Sequence, residues 1–302
     1  MYNVITLKNG SSEAKVNLSL GANLISLNIS DKKILREPDY SKPLDNPFLY
    51  GMPILFPVNR IEGGSFRFEG REYNFPINEE KTNCHLHGSL HKTPFVIDSL
   101  SKNRVVCKYS ATTNAPYLSF PHEFTIFVQY KLNKKSISIK TTVKNNSNLN
   151  MPIFLGYHTT FNVNDNSLIK VGAKFEIERN MQNYLPTGRL PGFDGISNSL
   201  INGEFVPTAS KISKHYKSKK FGKMVIFDKT SNISVEYFNS NNLSFRLIYG
   251  DGTSYICLEP QTCMANCQNA PFDRNFSGFS FIKPHKKKVY LSKIKLSKGD
   301  KR

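Results

Sequence analysis

The amino-acid sequence predicts an all-β protein built mainly from antiparallel meanders. Apolar residues recur with period two, Asn, Gly, Lys and Pro punctuate the runs, and no long stretch repeats every 3.6 residues. Val16, Leu18 and Leu20 alternate with polar residues, and after a Gly-Ala-Asn turn Ile25, Leu27 and Ile29 do the same. Phe124, Ile126, Val128 and Tyr130 form a third alternating run, and Ile137, Ile139, Thr141 and Val143 a fourth, with Asn133 to Lys135 as their hairpin connection. Short runs of this kind continue to Val289 and Leu291. The most irregular stretch, Asn180 to Pro207, predicts a long loop region of the kind that carries binding groups. No linker or repeat divides the chain, so residues 1–302 are expected to form a single β-sandwich domain.

Composition narrows the function classes. Hydrophobic residues make up 39% of the chain, enough for a packed core. The aromatics are 22 Phe and 14 Tyr with no Trp, shapes that favour strands. The net charge of +18 raises the question of nucleic acid, but the Lys excess is spread along the chain. Its denser stretches, Lys211 to Lys223 and Lys283 to Arg302, carry no aromatic stacking pattern, so no nucleic-acid partner is expected. Five cysteines without C-x-x-C spacing predict free thiols, not a disulfide framework. No stretch approaches the ~20 apolar residues of a membrane span. The start M-Y-N-V-I-T-L-K-N-G does not resemble a signal peptide, and the expectation is a soluble cytoplasmic protein.

Two ionisable residues lie on apolar strands. In P-I-F-L-G-Y-H-T-T-F-N-V, His158 shares a face with Phe154 and Gly156. In S-Y-I-C-L-E-P-Q, Glu259 shares a face with Tyr255 and Cys257, and the opposite face holds Ile256 and Leu258. A carboxyl and an imidazole on neighbouring strands are the minimum for general acid–base chemistry; the bland alternative is two ordinary polar residues at strand ends. In N-C-H-L-H-G, alternation puts His85 and His87 on one strand face. Together with Cys84 and His91 they suggest a zinc site, but a structural zinc needs about four ligands and the partner pair is missing, so no metal is expected.

The segment Gly51 to Gly88 resembles the aldose 1-epimerase (galactose mutarotase-like) family. The family carries P-x-L-F-P, N-R-I, G-x-[FY]-x-[FY]-x-G and N-x-L-H-G, and all four occur here in order, with one extra residue between Asn83 and Leu86. Farther on, G-Y-H-T-T-F-N-V is similar to its H-P-Y-F-N-L block, L-P-T-G-R to its P-T-G turn and L-E-P-Q-T to its E-P-Q block. The resemblance runs from about Gly21 to Leu296. It implies a large antiparallel β-sandwich, a sugar substrate held in a concave cleft, and no cofactor.

Carried over motif by motif, the resemblance implies His158 and Glu259 as the catalytic acid and base. Arg60 and His87 would bind sugar hydroxyls or the ring oxygen, with Asn59 of N-R-I beside them. His85, on a variable position, and Gln261, which follows the glutamate and supports it, complete the candidate substrate-binding set. In this reading Glu259 is expected to be ionised and His158 protonated near neutral pH, each favouring the other.

Several positions depart from the family pattern. Thr159-Thr160 replace Pro-Tyr, Ser89 replaces a second Gly, and the family's substrate-binding aspartate has no counterpart: Lys214 precedes His215-Tyr216, and Asp228 lacks the following His and aromatic. Two alternatives stay open. One is a hexose 6-phosphate epimerase, for which Arg67, Arg71 and Lys92 are candidate phosphate ligands. The other is a non-catalytic sugar-binding protein on the same scaffold.

Overall fold

The computed structural model describes residues 3–44, 46–220 and 222–299, and strands dominate it. Residues 300–302 of the basic tail lie outside the described residues. The fold is an antiparallel β-sandwich. Its eight-stranded sheet runs in the spatial order Val96–Ser101, Arg104–Ala111, Phe124–Asn133, Ser136–Asn145, Lys287–Lys298, Ile233–Asn239, Met224–Asp228, Ser167–Val171. The second sheet runs Ala173–Glu176, Ile212–Ser218, Phe245–Gly250, Tyr255–Gln261, Gly156–Tyr157, Ile54–Leu55, and Thr159–Asn162 also pairs with Tyr255–Gln261. A four-stranded sheet of Val4–Asn9, Ser12–Asn17, Asn23–Ile29 and Lys32–Lys33 leads in.

Alternation explains the central hairpin. Phe124–Asn133 buries Phe124, Ile126, Val128, Tyr130 and Leu132, and Ser136–Asn145 buries Ile137, Ile139, Thr141 and Val143. Asn133 pairs with Ser136, so the turn itself is Lys134-Lys135. Each such side chain, taken out of water, stabilises the fold by roughly 1.5–3 kcal/mol. These residues meet the second sheet in one contiguous core. Two polar contacts fix the packing between sheets: Tyr157 donates to Thr141 Oγ1 at 2.6 Å, and the Thr159 and Tyr237 hydroxyls lie 3.0 Å apart.

Two local expectations fail for identifiable reasons. Leu18 and Leu20 do not continue the strand from Val16; Leu18–Leu20 is a 3-10 turn. The Asn17 side chain accepts from the Ser19 N–H at 3.0 Å, offering the backbone an alternative to the ladder. The irregular stretch Asn180 to Pro207 contains a helix, Gly195–Asn202. Asp194 caps it by accepting from the Ser197 N–H at 2.8 Å, and Gly203 ends it with φ 79°. No helix among the described residues is long and apolar enough to cross a membrane.

Candidate active site

The strand Tyr255–Gln261 is buried along its whole length, with the larger sheet on one side and a cleft on the other. Glu259 therefore faces the cleft while Ile256 and Leu258 face the core. His158 sits at the break between Gly156–Tyr157 and Thr159–Asn162, where its N–H donates to the Pro53 carbonyl at 3.0 Å. Because Tyr157 and Thr159 are turned toward the larger sheet, His158 is turned the other way. His158 Nε2 and Glu259 Oε1 approach to 3.2 Å, though no aligned hydrogen bond joins them. Both line a cleft of about 410 Å³, within the range of sites for small ligands. A larger groove of about 610 Å³, lined by Phe68, Arg274 and Lys286–Lys288, holds no such pair.

Residues from three segments hold this pair in place. Gln261 Nε2 donates to Glu259 Oε2 at 3.2 Å, and Asn59 Nδ2 donates to Gln261 Oε1 at 3.2 Å. Gln261 is buried and does not line the cleft, so its contact is with the carboxyl and not with a ligand in the cleft. Gln261→Leu is expected to lower kcat/KM about tenfold, since a supporting bond and not a reacting group is lost. It should also move the alkaline limb of the pH profile up, because a donor to the carboxylate is removed. An unchanged limb in a pH–rate series would show that Gln261 does not act through Glu259.

Asn59 and His87 lock each other. The Asn59 N–H donates to His87 Nδ1 at 3.2 Å, and the His87 N–H donates to the Asn59 carbonyl at 3.1 Å. Nδ1 as an acceptor puts the ring proton on Nε2, the donor His87 offers the cleft. His87 and Gly88 both have left-handed backbone, φ 61° and 64°. A Cβ at Gly88 would lie 1.8 Å from the Phe56 carbonyl oxygen, which accounts for the glycine in L-H-G.

That turn also corrects the reading of His85. The left-handed residue at 87 breaks the alternation, so the two histidines do not share a face. His85 is buried against Phe75 with Nδ1 2.7 Å from the Pro76 carbonyl, and it does not line the cleft. Among the described residues, no three His, Cys, Asp or Glu side chains are placed to hold a metal ion.

Arg60 lines the cleft and makes a fork with Glu79, Nε–Oε2 at 2.6 Å and Nη2–Oε1 at 2.7 Å. Lys214 does not enter the cleft: it pairs with Glu176 and Asp194, each at 2.6 Å. Its neighbour Ser213 lines the cleft instead and accepts from Arg179 Nη2 through its carbonyl at 2.7 Å and hydroxyl at 2.9 Å. Asp228 lies elsewhere, bonded to Asn164 and Ser231. Arg67, Arg71 and Lys92 do not line the cleft. Nor do the departures at 159 and 160 reach it, since Thr159 meets Tyr237 and Thr160 lies against Cys257.

Sequence reasoning missed Arg179, Phe48 and Tyr184. The Phe48 ring lies 4.8 Å from His87 and 5.9 Å from His158, on a turn that Asn46 caps at the Phe48 N–H. The Tyr184 ring centroid lies 4.6 Å from the Arg60 guanidinium and 5.9 Å from that of Arg179. The Asn46-Pro47 start was the one local signal for Phe48.

Electrostatics overturn the expected charge states. Burial pushes the Glu259 carboxyl up to about 8, against the opposing pull of Gln261, Arg179 and Arg60. Burial lowers His158 to about 4. Removal from water dominates both shifts and favours the uncharged pair at pH 7, a carboxylic acid beside a neutral imidazole.

The aldose 1-epimerase family model matches residues 3–297. A galactose mutarotase-like protein from Clostridium acetobutylicum superposes with a TM-score of 0.91 at 27% identity, covering 98% of this chain and 96% of that one. The galactose 1-epimerase of Lactobacillus acidophilus NCFM shares the fold at 16% identity and a TM-score of 0.74, covering 99% and 95% of the two chains. An uncharacterised protein, YihR, of Escherichia coli (strain K12) is 29% identical over 119 residues, 39% of this chain and 38% of that protein's length. With a match over nearly its whole described length, this chain belongs to the aldose 1-epimerase family.

Proposed function

We propose that the protein interconverts the α and β anomers of an aldose by opening and reclosing the sugar ring. The observation that carries this reading is the contact of His158 Nε2 with Glu259 Oε1, 3.2 Å apart on the cleft wall. The reaction needs one proton taken from the C1 hydroxyl and one given to the ring oxygen. The pair holds one proton and one free lone pair, which is the required complement. Passing the proton from Glu259 to His158 as the sugar's polar groups enter creates a carboxylate base and an imidazolium acid without change of net charge.

Glu259 then takes the C1 hydroxyl proton while His158 protonates the ring oxygen, and the C1–O5 bond breaks as C1 becomes a carbonyl. Rotation about C1–C2 presents the other carbonyl face. Reclosure reverses both transfers and returns the pair to its starting state. His87 Nε2–H and Arg60 supply donors to hydroxyls that do not react, so one pose serves both anomers. Phe48 and Tyr184 give the sugar ring apolar surfaces in a chain without Trp.

The test is polarimetry on freshly dissolved α-D-glucose and α-D-galactose, followed by a panel of neutral, acidic and phosphorylated aldoses. Faster approach to anomeric equilibrium is the expected result. Binding without acceleration across the whole panel would make this a non-catalytic sugar binder and end the enzyme reading.

A further inference from the structure

We infer that the cleft is built for an aldose carrying one negative charge, a carboxylate such as that of a hexuronic acid, held by Arg179. The inference rests on the anomerase reading above and names its substrate class. The argument is a charge account of the cleft and its surroundings. Arg60 is neutralised by its fork with Glu79. Close to Arg179 in sequence, Glu176 is taken by Lys214 at 2.6 Å and Glu178 by Arg189 at 2.6 Å. Glu259 holds its proton in the free protein. Arg179 is left lining the cleft with no carboxylate in ion-pair contact among the described residues.

Its remaining hydrogen-bond capacity points the same way. Nη2 is occupied by Ser213, and no protein acceptor is found for Nε or Nη1 among the described residues. A partly desolvated guanidinium without a counter-ion is costly, and an oxyanion arriving with the substrate relieves that cost. One uncompensated positive charge matches one negative charge. A phosphate dianion would leave one negative charge uncompensated, because Arg60 is already paired with Glu79.

The position fits a substituent remote from C1. Ser213 is in register with Tyr249, and Tyr249 with Cys257, one step along the same face from Glu259. Arg179 is thus anchored two strands, about 10 Å, from the strand that carries the reacting carboxyl. That is the far side of a sugar whose C1 lies against Glu259.

The experiment measures anomer exchange by NMR for D-glucuronate and D-galacturonate, D-glucose and D-galactose, and the two hexose 6-phosphates. Wild-type protein is compared with Arg179→Gln and Arg179→Lys, with circular dichroism and thermal melts to confirm folding. The expected kcat/KM for the better uronate exceeds that of its neutral counterpart by about 30-fold, the size of one charge-assisted hydrogen bond in a desolvated site. Arg179→Gln should bring the ratio close to one, and Arg179→Lys should restore part of it. A neutral sugar matching the uronates, a 6-phosphate exceeding both, or a ratio untouched by Arg179→Gln would each overturn the inference while leaving the anomerase reading intact. If no sugar is turned over, the anomerase reading fails. Calorimetry then decides the charge preference: glucuronate binding tighter than glucose in wild type but not in Arg179→Gln supports it, and equal binding refutes it.

Discussion

Glu259→Gln is expected to lower kcat/KM for anomer interconversion by about a thousandfold, and His158→Asn by a similar factor. The two losses should be far from additive, because the pair works as one proton-holding unit and either half alone cannot complete the cycle. Both replacements keep a polar side chain, and Glu259→Gln keeps the volume as well. Gln at 259 still offers an oxygen to the Gln261 Nε2 donor, now 3.2 Å from Glu259 Oε2. Asn at 158 leaves the backbone bond to Pro53, 3.0 Å long, in place. The fold should therefore survive, and circular dichroism and thermal melting check it. Polarimetry under saturating and limiting sugar separates kcat from KM. Chemistry lost with binding retained is the expected pattern. A folded Glu259→Gln protein that keeps a tenth or more of wild-type kcat/KM would remove Glu259 from the proton path, and the same outcome at 158 would remove His158.

How much of this was visible beforehand depended on whether a residue's neighbours lie on its own strand or far along the chain. The sandwich could be read because a strand half buried against a core records its burial in a two-residue alternation, as in Phe124 to Tyr130. Strand pattern marks His158 and Glu259 only as ionisable residues on apolar strands; their pairing, like Arg60 and His87, is implied by the ordered short motifs of the family resemblance. The His85 reading failed on a single left-handed residue at 87, which alternation does not register. The charge states failed for a different reason. The family motifs implied the pair but did not show that Tyr255–Gln261 is buried along its whole length, and that burial sets the sign of both shifts. Phe48, Arg179 and Tyr184 come from turns and loops. Their approach to the cleft is fixed by contacts distant in sequence, such as Arg179 with Ser213, 34 residues away.

The pH dependence follows from those shifts, with opposite signs for the two groups. Between about 4 and about 8 the pair holds one proton, and kcat/KM should be level there. Above about 8, Glu259 loses the proton that His158 must receive, and the rate should fall about tenfold per pH unit. Below about 4, His158 is protonated as well, no base is left, and the rate should fall on the acid side. Stability should follow the same groups. Glu259 binds its proton more tightly folded than unfolded, so between the ordinary 4.5 and about 8 stability decreases as pH rises. His158 binds its proton less tightly when folded, so between about 4 and the ordinary 6.5 stability increases with pH. Glu259→Gln abolishes the first effect only. The inactive variant should therefore melt a few degrees above wild type at pH 8, about 2–5 °C, and the gap should close toward pH 5. Differential scanning calorimetry at the two pH values makes the comparison. A gap of the same size at both would mean that burial does not hold the Glu259 proton, and the alkaline limb of activity would then need a different group.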